Sequence, residues 1–115
     1  MLFNFSISEK PTCIIISLEG ELIEKNQAID LLAKVDELVA GGKTKIAIDL
    51  ANLKYMNSSG LNTMIQLLTK ARKDGGEVVI CNMNKKINEL LLITKLNTLF
   101  KVVETEAEAV TLLGK

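Results

Sequence analysis

The chain has 115 residues, 48% hydrophobic and 24% charged, a balance that suits one soluble globular domain over residues 1–115 and excludes a disordered or fibrous chain. Fourteen basic residues offset fourteen acidic ones, so no net field draws the protein onto a phosphate backbone. With 3% aromatic residues and no Trp there are few flat faces for stacking bases, and nucleic acid is not an expected partner.

The opening Met1-Leu2-Phe3-Asn4-Phe5 lacks the basic leader and long apolar stretch of a secretion signal, and no apolar run approaches the roughly 20 residues needed to cross a bilayer. A cytoplasmic location without membrane insertion is expected. Two strand-like runs come first, Leu2 to Ser6 and Thr12 to Leu18. They are split by Glu9-Lys10-Pro11, where proline removes a ladder donor and favours a turn, so a hairpin is predicted. Gly20-Glu21-Leu22 leads to Asn26, a residue type that caps helices. Ile29, Leu32, Ala33, Val35 and Val39 then recur at helical spacing up to a stop at Gly41-Gly42.

Lys45 to Leu50 reads as a buried strand, followed by a short loop and an amphipathic helix from Ser58 to Asp74 carrying Leu61, Met64, Ile65, Leu68 and Ala71 on one face. Gly75-Gly76 breaks that helix. A strand over Glu77 to Cys81, a short helix over Lys85 to Ile93, a last strand over Phe100 to Val103 and a terminal helix over Glu106 to Leu113 complete the chain. Strands interleaved with helices imply a layered α/β fold: a mixed sheet of four to five strands with about four helices, its opening pair antiparallel.

Cys13 and Cys81 each sit in a run of β-branched neighbours and read as small core side chains, since there is no His and no close Cys pair to build a metal site. No metal or cofactor is expected. The glycine pairs lack the spacing of a dinucleotide loop or P-loop and read as helix stops. Without His, little points to catalysis.

The informative segment is Tyr55-Met56-Asn57-Ser58-Ser59-Gly60-Leu61, where a loop becomes the amphipathic helix. Asn57 or Ser58 can cap that helix, and a cap is the plainest reading of such a string. The place also suits a switch. A phosphate on Ser58 would face helix-start amides and the positive end of the dipole, so modification need not unfold the domain. It would add roughly −1.5 to −2 of charge, and a docking loss of about 3 kcal/mol is over a hundredfold in affinity.

The stretch from Ile48-Asp49-Leu50 through Asn57-Ser58-Ser59-Gly60-Leu61 resembles the signature of the STAS domain, the sulfate transporter and anti-sigma factor antagonist family. Gly20-Glu21-Leu22 and Gly75-Gly76-Glu77-Val78-Val79 extend the likeness over nearly the whole chain. The resemblance implies an anti-sigma factor antagonist rather than an enzyme: a protein that binds an anti-sigma factor which is also a serine kinase and thereby frees a sigma factor. It further implies that the kinase inactivates the antagonist by phosphorylating the first serine, here Ser58, and that a serine phosphatase restores it. Partner contacts would come from Asn57, Ser58, Ser59, Gly60, Leu61 and Glu21, and the protein would be a monomer forming heterocomplexes. Two departures stand out. Asn57 replaces the family's usual Asp, and Ile23-Glu24 follows Gly-Glu-Leu where many members have Asp. The same resemblance admits a second function, a non-switching interaction module of a lipid transporter or signalling scaffold. Loop serines and lysines alone support a third, a nucleotide-binding protein or weak hydrolase.

Overall fold

A computed structural model of the protein describes residues 2–114. Five strands form one sheet in the order β1-β2-β3-β4-β5, with β1 Phe3–Glu9, β2 Ile14–Leu22, β3 Lys45–Met56, β4 Glu77–Cys81 and β5 Lys101–Val102. The opening pair is antiparallel, as the Glu9-Lys10-Pro11 turn predicts, and every later pairing is parallel. Four helices accompany them: α1 Ile29–Ala40, α2 Ser58–Lys73, α3 Lys85–Ile93 and α4 Glu106–Leu113. The expected mixed α/β sheet with four helices is present.

Chain order explains the layering. From β2 onward each crossover steps to the next strand in the same direction, so crossovers of one hand place α1, α2 and α3 on the same face. Their apolar stripes, among them Leu31, Val35, Met64, Leu67, Ile87 and Leu91, pack onto Ile16, Ile46, Ile48 and Ile80 of the sheet. The opposite face is covered by α4, whose Ala109 and Leu113 meet Cys13, Ile15, Ala47, Val79 and Cys81. Both cysteines are buried, as the sequence suggests, and both are free.

Several boundaries differ from the sequence reading: β2 runs from Ile14 past Leu18 to Leu22, and β5 is shortened to Lys101–Val102. β1 continues past Ser6 to Glu9, keeping Phe3, Phe5 and Ile7 toward the core. β3 does not end at Leu50 but runs to Met56, through the segment expected to be a loop. Its pairing with β2 shifts register twice, between Ser17 and Glu19 and between Gly20 and Glu21. These bulges give β3 an extra residue each time, so its buried residues Leu50, Leu53 and Met56 are spaced by three instead of two. Asn26 does not cap α1. It lies inside a short 3-10 turn, Lys25–Ala28, that precedes the helix. Ile29 and Ala33, read as members of the apolar stripe, are exposed. Both glycine pairs do end helices, with Gly42 and Gly75 at φ of 87° and 83°.

Candidate functional site

Parallel strands that feed helices put the helix starts on one edge of the sheet. At that edge Leu22, the last residue of β2, lies beside Met56, the last of β3, and α2 begins two residues later. Asn57 is the helix cap: its backbone is extended, and its Oδ1 accepts from the N–H groups of Ser59 at 3.0 Å and Gly60 at 3.2 Å. Its Nδ2 reaches across to donate to the Ile23 carbonyl at 2.9 Å.

Ser58 is the first residue inside α2 and is exposed. Among the described residues no protein group holds its hydroxyl. Ser59 is half-buried, and its carbonyl accepts from Thr63 Oγ1 at 3.2 Å, which ties the first turn to the second. Gly60 is buried where α2 comes closest to β2 and β3. A Cβ there would stand 2.6 Å from the Leu22 carbonyl oxygen and 2.7 Å from Met56 Cβ, so only glycine allows this approach. Glu21 is half-buried at the end of β2, with its N–H donating to the Leu2 carbonyl at 3.1 Å.

Leu61 is placed differently from the expectation that it contacts a partner, because its side chain is buried in the main core. It anchors the helix start from beneath. The helix-start amides also differ from the sequence reading. A phosphate on Ser58 was expected to face open N–H groups, but those of Ser59 and Gly60 are engaged by Asn57 Oδ1, and that of Leu61 donates to the Asn57 carbonyl at 2.9 Å. The positive end of the helix remains, while the hydrogen-bonding capacity beneath it is largely taken.

Gln27 has a part in this region that sequence reasoning did not assign. Its Oε1 accepts from the N–H groups of Ile23 and Glu24, both at 2.9 Å, and its Nε2 donates to the Glu21 carbonyl at 3.1 Å. The Glu24-x-x-Gln27 spacing is that of a capping box and carried the signal.

A depression of about 700 Å³ is lined by Met83, Asn84, Lys85, Asn88 and Val102 to Glu104, without Ser58. Among the described residues no group of three or more Cys, Asp or Glu side chains could hold a metal ion, and no helix is long and apolar enough to cross a membrane.

The model of the STAS domain family matches residues 4–109. The chain belongs to the STAS domain family. This STAS domain is 28% identical over 99 residues to the anti-sigma F factor antagonist of Paenibacillus polymyxa, covering 85% of this chain and 84% of the relative. An anti-sigma factor antagonist from Mycobacterium paratuberculosis has the same fold, with a TM-score of 0.85 at 19% identity over 99% of this chain and 96% of that one. The Bacillus cell fate determinant SpoIIAA in its phosphorylated form gives a TM-score of 0.73 at 21% identity, covering 94% and 97% of the two chains.

Proposed function

We propose that this STAS domain is an anti-sigma factor antagonist: unphosphorylated, it docks onto an anti-sigma factor that is also a serine kinase, and so releases a sigma factor for transcription. Phosphorylation of Ser58 ends the docking and a serine phosphatase restores it, which makes the protein a substrate in the cytoplasm and not an enzyme. The observation that carries this reading is the exposed Ser58 side chain at the first position of α2, directly after Asn57, whose side chain bonds to Ile23 just past the end of β2.

The physical route is electrostatic. Because Asn57 already holds the amides of Ser59 and Gly60, an added phosphate is not absorbed into the helix cap and stays directed at the docking partner. A partner must then desolvate or oppose roughly −1.5 to −2 of charge. The fold need not change. SpoIIAA in its phosphorylated form superposes on this chain as well as it does in its unphosphorylated form, with TM-scores of 0.73 and 0.74.

Incubation with the kinase-type anti-sigma factor of the same genome and ATP, followed by mass-spectrometric mapping, tests the reading. Modification at Ser58 that disappears in Ser58→Ala is expected. Modification confined to other residues would sink it.

A further inference from the structure

The segment from Glu21 to Glu24, where β2 ends, is held by two carboxamides. Gln27 closes it from the following turn, taking the N–H groups of Ile23 and Glu24 on Oε1 and the Glu21 carbonyl on Nε2. Asn57 closes it from across the sheet: its Nδ2 takes the Ile23 carbonyl at 2.9 Å, and its N–H the Leu22 carbonyl at 3.4 Å. The same Asn57 side chain takes the Ser59 and Gly60 amides on its oxygen. These partners fix the amide's orientation, since the oxygen must face two N–H groups and the nitrogen must face a carbonyl.

No carboxylate can make this pair of contacts. Aspartate at position 57 would still cap α2, but it has no hydrogen for Ile23, and its second oxygen would lie against a carbonyl oxygen. Serine would cap as well, without a donor that reaches the loop. We infer that Asn57 is a positioning residue whose carboxamide holds the loop that leaves β2 at Ile23 and Glu24 to the first turn of α2, with Ser58 on it, as one rigid surface. Its importance for signalling rests on the docking role proposed above, but the coupling itself can be measured with no partner present.

Amide hydrogen exchange followed by NMR on the full chain provides the test. At neutral pH, Asn57→Asp and Asn57→Ser are each expected to lower protection of Ile23 and Glu24 about tenfold, the scale of one lost hydrogen bond, while Gly60 stays protected. Below the ordinary aspartate pKa of about 3.9 the protonated side chain of Asn57→Asp can donate to the Ile23 carbonyl, so its loop protection recovers and that of Asn57→Ser does not. Wild type carried through the same pH range accounts for the loop's own carboxylates, Glu21 and Glu24. Unchanged loop protection in both variants overturns the inference, as does an equal loss at every core amide or a failure of Asn57→Asp to recover. If acid unfolds the chain, the neutral-pH comparison decides alone. A failure of Ser58 to be phosphorylated would leave these results untouched, so the two readings fail separately.

Discussion

Asn57 and Ser58 are adjacent, but one is engaged on both sides and the other faces solvent. That division predicts opposite consequences of truncation. Asn57→Ala removes a cap and a cross-loop hydrogen bond and should cost about 1–3 kcal/mol in urea denaturation. Ser58→Ala, which removes an exposed hydroxyl, should fall within about 0.5 kcal/mol of wild type. The cysteines belong to the same scale. Burial, reinforced by the negative charges of Asp49 and Glu106, pushes the Cys81 thiol up to about 12, and burial also raises Cys13. At pH 8 both thiols should therefore react with an alkylating reagent only as fast as the protein opens, and should react freely in denaturant. The sequence made the cysteines legible as core residues and Ser58 as a helix-start hydroxyl. The apolar stripe also placed Leu61 on the inward face of α2, where it lies, but the string left the cap open between Asn57 and Ser58 and did not show the bond from Asn57 Nδ2 to the Ile23 carbonyl, which depends on where β2 ends relative to β3.

Among the elements, β3 shows most clearly what periodicity can miss. Ile46 and Ile48 alternate as a strand should, but after the bulges the buried residues fall at Leu50, Leu53 and Met56, a spacing that imitates neither strand nor helix. The helices were legible because their apolar stripes are long, except at the start of α1. There Asn26 has the right type for a cap but the 3-10 turn delays the helix to Ile29. Two carboxylates at element ends give opposite pH effects. Burial works against ionisation of Glu77, but the hydrogen bonds from Arg72 and the Val78 N–H, with the charges of Arg72 and Lys101, outweigh it and hold its pKa below the usual range. Its contribution is present above the ordinary carboxylate range and is lost as pH falls through the depressed value. Glu106 is raised, first by its hydrogen bond with Asp49, then by burial and by the Asp49 charge, with Lys10 opposing. Its contribution is full below the ordinary carboxylate range and is lost as pH rises through the raised value. Glu106→Gln should therefore raise Tm at pH 7, with the gain shrinking as pH falls into the carboxylate range. Glu77→Gln should lower Tm at pH 7, and its deficit should close in acid.

Across the whole molecule, one topological fact places the site. Successive parallel strands connected in one direction bring the ends of β2 and β3 and the start of α2 to the same edge, on a chain whose formal charge is zero. A single phosphate there changes the local potential without needing a new fold. The most direct measurement is calorimetric titration of the anti-sigma factor with the wild-type chain, before and after stoichiometric phosphorylation at Ser58. A rise in Kd of about a hundredfold or more is expected, corresponding to about 3 kcal/mol. Equal Kd values for the two forms would contradict the proposal that docking takes place over the start of α2.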